Sequence, residues 1–133
     1  MKIAFRGGHN EKIRGTNALI DKEKTDEVEI DRAYYPLVIK YLRELGYNVL
    51  DATSKVTYTK SQDLVYGVSK ANNWGADLFV SCHVNSYNGN GYRCEVVRYS
   101  NSSKGKEYAS NISASISKLV FRNICNYRTV LFR

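Results

Sequence analysis

The two histidines, His9 and His83, are the first candidates for chemistry because the chain of 133 residues has no others. Each follows a short, mostly apolar run, at Lys2–Phe5 and Ala76–Cys82, and such runs predict β-strands. Both imidazoles are therefore expected just beyond strand ends, where open α/β sheets bind their ligands. Two imidazoles that meet there can hold one metal ion. Zinc is favoured because its catalytic sites use three protein ligands and a water molecule.

The third ligand is expected to be a carboxylate that reaches the same edge of the sheet. Glu27 fits because it lies at the predicted start of the helix that returns from the loop after His9. Glu23, Asp26 and Glu29 are close enough in the sequence to compete. Spacing alone leaves this choice open, since the two histidines lie in separate segments and form no compact HExxH motif.

The elements that would position these side chains alternate along the chain. A first helix is predicted over Glu27–Leu45 and ends at Gly46, and Thr59 with Gln62 forms a capping box that opens a second helix. A third helix is predicted over Lys104–Leu119. Further strands are predicted at Tyr47–Leu50, Tyr92–Tyr99 and Thr129–Phe132. This alternation predicts a single α/β domain over residues 1–133, with a mostly parallel central sheet flanked by helices.

Helical spacing of apolar residues also predicts which side of each helix faces inward. The first helix would bury Ile30, Tyr34, Leu37, Tyr41 and Leu45. The second would bury Leu64, Val65, Val68, Ala71 and Trp74, and the third Tyr108, Ile112, Ile116 and Leu119. The polar segment Asn10–Asp26 has no such period and is predicted to be a long loop of the kind that often carries function.

Composition narrows the range of partners. The net charge of +7 favours polyanions such as nucleic acids, acidic membranes or bacterial wall polymers. No nucleic-acid-binding motif is present and no helix concentrates the basic residues, so no nucleic-acid partner is expected. No apolar run is long enough to cross a membrane, and the start of the chain does not have the form of a signal peptide. Synthesis in the cytoplasm is therefore expected.

Cysteine usage argues against a disulfide framework and against a thiolate metal site. The count is odd, and no CxxC spacing occurs. Such usage is typical of a chain made in a reducing compartment. The three residues are Cys82, Cys94 and Cys125.

Three motifs carry a resemblance to a known family. Arg6-Gly7-Gly8-His9 resembles the first motif of the zinc-dependent N-acetylmuramoyl-L-alanine amidases of the Amidase_3 type. Asp26-Glu27, followed by a helix that closes at Leu45-Gly46, is similar to their second motif, in which a liganding glutamate opens the helix. Ser81-Cys82-His83-Val84-Asn85 resembles the strand that ends Ser-x-His-x-Asn, and it is the most specific of the three. The resemblance covers roughly residues 2–119.

The resemblance implies a zinc site formed by His9, Glu27 and His83. It implies hydrolysis of the amide bond between N-acetylmuramic acid and L-alanine in bacterial peptidoglycan. Asn85 is a candidate for contact with the glycan, and equally a turn residue. With RGGHN as its first motif and a start that does not have the form of a signal peptide, the chain resembles a phage or prophage endolysin more than a secreted cell-separation amidase. Such an endolysin would act on the cell wall after release.

The chain also departs from the family. The family's catalytic glutamate lies on a late strand, and no residue here matches it; the last strand and helix of the family are expected to be missing after Arg133. We therefore expect zinc binding with slow or no hydrolysis, or a non-catalytic remnant that binds zinc and the cell wall. A sheet edge exposed in this way favours a homodimer. A flavodoxin-like phosphate-binding module is a third reading, but Gly7-Gly8 is too short for its phosphate loop.

Overall fold

The computed structural model describes residues 1–20, 23–55, 58–84, 94–119 and 125–130. It divides into two compact units, Met1–Val84 and Asn85–Arg133. The first unit contains β1 (Lys2–Gly7), β2 (Asn17–Ile20), β3 (Glu23–Asp26), α1 (Glu27–Glu44), β4 (Asn48–Asp51), α2 (Lys60–Trp74) and β5 (Leu78–Cys82). The second contains β6 (Cys94–Tyr99), α3 (Ser103–Leu119) and β7 (Cys125–Val130), with β6 and β7 parallel. Across the described ranges, no helix combines the length and apolar character that a bilayer crossing needs.

The main sheet of the first unit is parallel, with the strand order β4-β1-β5. This confirms the predicted α/β class with a parallel sheet. The pairing of β1 with β5 runs to Gly7 opposite Cys82, and the Gly8 amide donates to the Cys82 carbonyl at 2.7 Å. The chain therefore leaves both strands at the same edge of the sheet, and His9 and His83 follow immediately.

The two faces of β1 pack against different helices, because successive strand residues point to opposite sides. Phe5 packs with Tyr35 and Ile39 of α1 and with Val49 of β4 in an apolar cluster. The opposite face is built from small residues, with Ala4, Ala52 and Ala71 in contact. On that face Arg6 is buried and pairs with Asp63 of α2 at 2.6 Å.

The predicted end of the first helix at Gly46 and the predicted Thr59–Gln62 capping box are both present, and Asp26 adds a cap that was not predicted. Asp26 caps α1 and forms a capping box with Glu29, and Gly46 follows the helix with a positive φ of 86°. Thr59 caps α2 and forms the predicted box with Gln62. Because these caps satisfy backbone groups that a helix end leaves free, they fix where each helix begins.

The predicted inward face of α1 is largely wrong, although Tyr34 packs against the apolar cluster. Three of its members are exposed: Leu37 at 52%, Tyr41 at 57% and Leu45 at 73%. The residues buried in α1 are Glu27, Val28, Asp31, Tyr35 and Ile39. The helix carries apolar residues on more than one stripe, and two of the buried residues are acidic, so hydrophobic spacing pointed to the wrong stripe.

The predicted faces of α2 and α3 are also largely wrong. In α2, Leu64, Val65 and Val68 are exposed, and the buried residues are Asp63, Gly67 and Ala71. Gly67 lies against the Arg6 side chain, so the contact is made by a small residue and an ion pair instead of large apolar groups. In α3, Ala109 and Ser113 are buried, while Ile112 and Leu119 are exposed.

The segment Asn10–Asp26 is not the long loop that was predicted. It contains the antiparallel pair β2–β3, in which Asn17 pairs with Asp26, and an isolated bridge between Asn10 and Ile13. Backbone hydrogen bonds order a polar segment here, and such bonds leave no hydrophobic period in a sequence.

Candidate metal centre

Two histidines and one glutamate meet at the carboxyl edge of the main sheet. The ligand atoms of His9, Glu27 and His83 all lie within 4.8 Å of one another. The Glu27 carboxylate lies between the rings, with Oε2 3.1 Å from His9 Nε2 and Oε1 2.9 Å from His83 Nδ1. The two rings meet edge to face, with centroids 4.9 Å apart. The structure thus brings together the three residues that were predicted to bind the metal.

The competing carboxylates have other partners. Asp26 accepts from the Glu29 amide as the helix cap and is paired with Arg14. Glu29 completes the capping box and also contacts Arg14, at 3.2 Å. The side chain of Glu23 lies outside the described residues. Glu27 is therefore the carboxylate that the described structure places between the two imidazoles.

Glu27 is held by backbone groups from two segments. Its side chain is 5% exposed, and Oε1 accepts from the Val84 amide at 2.8 Å while Oε2 accepts from the Thr16 amide at 3.2 Å. Its own amide donates to the Thr16 carbonyl at 2.8 Å. As the first residue of α1, the carboxylate also lies at the positive end of the helix dipole. These contacts aim both carboxylate oxygens before any ion is bound.

The backbone of His9 adopts a left-handed conformation, with φ of 54°. For a residue with a Cβ this costs about 1–2 kcal/mol, so neighbouring contacts must hold it. Arg32 donates to the carbonyls of Gly8 and His9, at 3.1 and 2.9 Å. The buried Asn10 side chain donates to the Tyr58 carbonyl at 3.1 Å and accepts from two amides of the next turn.

Two glycines leave room for the three side chains. A Cβ on Gly8 would lie 2.5 Å from His83 Nδ1. Gly15 has φ of 79°, and a Cβ there would overlap the Glu27 carboxylate and approach His9 Cδ2 to 2.8 Å. Sequence reasoning missed Gly15, although a single glycine within a polar segment beside a proposed ligand was a signal for close approach.

Buried titratable groups lie behind the site. Burial raises the pKa of Asp31, one turn after Glu27 in α1, and the nearby Tyr34 side chain opposes that shift. Burial also raises the pKa of the Cys82 thiol and of Tyr34. Cys82 packs against the apolar cluster under α1.

A pocket opens beside the two imidazoles. Its lining includes His9, Ile13, Arg6 and His83, and α2 contributes Lys60, Asp63 and Leu64. The Arg6–Asp63 pair forms a buried polar wall that sequence reasoning missed. The pocket therefore offers apolar, cationic and paired ionic groups next to the candidate ligands.

The donor set fits zinc. Two imidazole nitrogens and a carboxylate oxygen are ligands that zinc accepts, and three protein ligands leave a fourth position for water. The His83 side chain is 45% exposed and that of His9 21%, so solvent and substrate can reach one side of the site. Asn85, the predicted substrate contact, lies outside the described residues. No catalytic acid or base is assigned.

The chain is similar to known proteins in sequence and in fold. The model of the family Amidase_3, described as N-acetylmuramoyl-L-alanine amidase, matches residues 3–132. A Clostridium perfringens protein described as "Uncharacterized 38.4 kDa protein" is 48% identical over 83 residues, which are 62% of this chain and 22% of that protein. The chain spans less than a quarter of that relative's length.

Two solved structures share the fold. The catalytic domain of the CD27L endolysin targeting Clostridia difficile has a TM-score of 0.70 at 24% identity, over 96% of this chain and 71% of that one. The CwlD amidase from Clostridioides difficile, solved in complex with the GerS lipoprotein, has a TM-score of 0.73 at 21% identity, over 99% and 72%. At these identities the likeness is one of fold, whereas the family match spans nearly the whole chain. The chain belongs to the Amidase_3 family of N-acetylmuramoyl-L-alanine amidases.

Proposed function

We propose that this chain is a zinc-dependent peptidoglycan amidase that hydrolyses the bond between the lactyl group of N-acetylmuramic acid and L-alanine. The observation that carries the proposal is the cluster of His9, Glu27 and His83, whose ligand atoms lie within 4.8 Å at the carboxyl edge of a parallel sheet. Family membership supports the reaction and the substrate class.

The three side chains would hold the metal through His9 Nε2, His83 Nδ1 and a Glu27 oxygen. When bound, zinc supplies a polarised water molecule and a Lewis acid for the amide carbonyl. A ligating imidazole must be neutral, so His83 would keep its proton on Nε2. Ser81 Oγ lies 3.3 Å from that nitrogen and can accept this hydrogen, which is compatible with the tautomer that leaves Nδ1 free to ligate.

The pocket beside the ligands would receive the groups on either side of the scissile bond. Ile13 and Leu64 can contact the methyl groups of the lactyl and alanyl units, and Lys60 supplies a positive charge for a stem-peptide carboxylate. Glu27, paired with two imidazoles and two amides, would serve as a ligand and not as the proton carrier.

The experiment measures metal content and turnover in the same preparations. Purified chain is loaded with zinc, dialysed and incubated with purified cell wall, and newly exposed L-alanine amino groups are counted. We expect one zinc per chain and slow but zinc-dependent amino-group release in the parent, and loss of both in His9→Ala and His83→Ala. Glu44→Ala replaces an exposed glutamate of α1, the helix that carries Glu27. It is the control that should change neither the zinc content nor the amino-group release. Equal zinc and equal release in all four proteins would contradict the proposal.

A second candidate is a zinc- and wall-binding domain without turnover. It follows from the expectation, drawn from the resemblance, that no residue of this sequence matches the family's catalytic glutamate. General acid–base help is worth about 10²–10⁴-fold in rate, so its loss would leave a folded, metal-loaded protein with little activity. Cell-wall sedimentation separates the two: zinc-dependent wall binding with no amino-group release would favour the binding domain.

The proposal includes action on the cell wall after release, as in phage-type lysis. The net charge of +7 supports attraction to anionic wall polymers. Because such attraction between exposed charges is screened by salt, wall binding should weaken as salt is raised and on walls stripped of their anionic polymers. Binding that is unchanged by both treatments would contradict the electrostatic part of this proposal.

A further inference from the structure

The guanidinium of Arg32 makes two adjacent contacts beside the metal centre. Arg32 lies in the second turn of α1, where Nη1 donates to the Gly8 carbonyl at 3.1 Å and Nη2 to the His9 carbonyl at 2.9 Å. Its charged head also lies over the Tyr35 ring, 5.5 Å from the centroid. The fork geometry of the guanidinium allows both carbonyls to be held at once.

These two carbonyls belong to the peptide groups on either side of the His9 Cα. Fixing both peptide planes fixes the φ and ψ angles of His9, and hence the direction in which its imidazole leaves the backbone. That constraint is needed here, because φ of His9 is 54° and this region is unfavourable for a residue with a Cβ. These contacts therefore help to direct His9 Nε2 toward Glu27 Oε2, which lies 3.1 Å away.

The guanidinium has a close-fitting place against β1. A Cβ added to Gly7 would lie 2.7 Å from Arg32 Nη1 and 2.8 Å from Tyr35 Cδ1. The absence of a side chain at Gly7 thus lets the guanidinium lie directly on the strand backbone. A lysine would bring a single ammonium on a flexible stem and could not reproduce the two-pronged contact.

We propose that Arg32 is a positioning residue that sets the backbone of His9 and thereby controls the affinity of the site for its metal. The inference rests on the proposed function, in which His9, Glu27 and His83 bind zinc. The effect that it predicts on zinc affinity is opposite in sign to the effect expected from charge alone. Removing a positive charge near a cation site should tighten metal binding, whereas removing the contact that aims His9 should weaken it.

The test compares arginines that use the same chemistry at different places on α1. Arg43 also donates to a backbone carbonyl, that of Val49 at 2.8 Å, away from the metal centre. Zinc affinity is measured by chelator competition on the parent chain and on Arg32→Gln, Arg32→Lys, Arg43→Gln and Arg43→Lys. Thermal unfolding and the Co²⁺ ligand-field absorption are recorded on the same proteins.

We expect the Arg32 variants to bind zinc about 10–100-fold more weakly, the range found for outer-shell partners of metal ligands. Their Co²⁺ spectra should also differ from the parent. The Arg43 variants should keep parent affinity and spectrum even where their melting temperature falls.

Arg32→Lys keeps the stem and the charge, so it serves as the test if Arg32→Gln does not fold. Parent-like affinity and spectrum in a folded Arg32 variant, or tighter binding in Arg32→Gln, would overturn the inference. A parent chain that binds no zinc would instead overturn the proposed function, so the two failures are distinguishable.

Discussion

The two strand ends that carry the histidines are built differently. At the end of β1, His9 has a left-handed backbone, and both of its flanking carbonyls are held by Arg32. At the end of β5, His83 is more exposed, and its ring is oriented by the Glu27 carboxylate and Ser81. Glu27 contacts both imidazoles, but Arg32 holds the backbone of His9 in addition, so the two ligands should respond differently to substitution.

Glu27 joins the two ends, because one oxygen contacts each imidazole and each oxygen accepts a backbone amide. Its side chain therefore has a role at both ends, whereas Arg32 acts only at the first. Substitutions of Glu27 should therefore affect both strand ends, whereas substitutions of other contacts should affect one end or neither.

The largest effect is expected for Glu27→Ala. It removes a ligand and leaves the part-buried amides of Thr16 and Val84 without their acceptor, which costs at most about 1–3 kcal/mol for each. Zinc affinity should fall by more than the roughly 10–100-fold typical of an outer-shell partner. Glu27→Gln keeps an amide acceptor and should recover part of the stability but little of the affinity. Calorimetric unfolding and chelator competition measure the two effects, and parent-like zinc affinity in Glu27→Ala would contradict the role.

Gly15→Ala should come next, because the new methyl group would overlap Glu27 and crowd His9 in a backbone with φ of 79°. Gly46 is a matched control: its φ is 86°, but a Cβ there meets nothing within 4 Å. Both alanine variants should lose about 1–2 kcal/mol from backbone strain, measured by chemical denaturation. Gly15→Ala alone should also lose zinc affinity, and equal affinity in the two variants would show that the overlap has no effect on the site.

The backbone difference between the strand ends predicts opposite preferences for glycine. In the metal-free chain, His9→Gly should be more stable than His9→Ala by about 1 kcal/mol, because glycine tolerates the left-handed conformation. At His83 the order should reverse, with alanine the more stable by roughly 0.5–1 kcal/mol, since glycine has more freedom to lose. Urea unfolding of the four variants provides the comparison. The same order at both positions would remove the distinction between the two ends.

The last contact to test is at Asp26, which caps α1 just before Glu27. Burial alone would raise its pKa, but the hydrogen bond from Arg14 and the amides of the first turn together hold the pKa below its ordinary value of 3.8. A carboxyl with a lowered pKa stabilises the fold above its unfolded-state pKa, and that contribution is lost as pH falls through the folded-state pKa.

Asp26→Ala should therefore cost about 1 kcal/mol at neutral pH through the lost cap, with a smaller difference from the parent as pH falls below 3.8. Thermal unfolding at pH 7 and at successively lower pH measures this. A difference that grows on acidification would have the wrong sign.

Part of the site was predictable from sequence because parallel strands end at a common edge. That rule placed His9 and His83 together, and the return of α1 brought Glu27 and its neighbouring carboxylates to the same edge. The choice of Glu27 among them came from the resemblance to the family. The Thr59–Gln62 capping box could also be predicted from the sequence, because a cap is a local contact within four residues.

The inward helix faces were not predictable from apolar spacing. In α2 the buried face is Asp63, Gly67 and Ala71, because a buried ion pair with Arg6 takes the place that large apolar residues would fill. The contact of Arg32 with two carbonyls left no pattern either. It joins a side chain to backbone groups more than twenty positions away, and any residue type has those groups.

The most direct test of the central claim is X-ray absorption at the zinc edge on the zinc-loaded chain. The account predicts a first shell of nitrogen and oxygen at about 2.0–2.2 Å with scattering from two imidazoles, lost when either histidine is replaced. A shell containing sulfur at about 2.3 Å would place the metal on the cysteines instead. That result, or zinc retained with an unchanged spectrum in His9→Ala and His83→Ala, would contradict the His9–Glu27–His83 site.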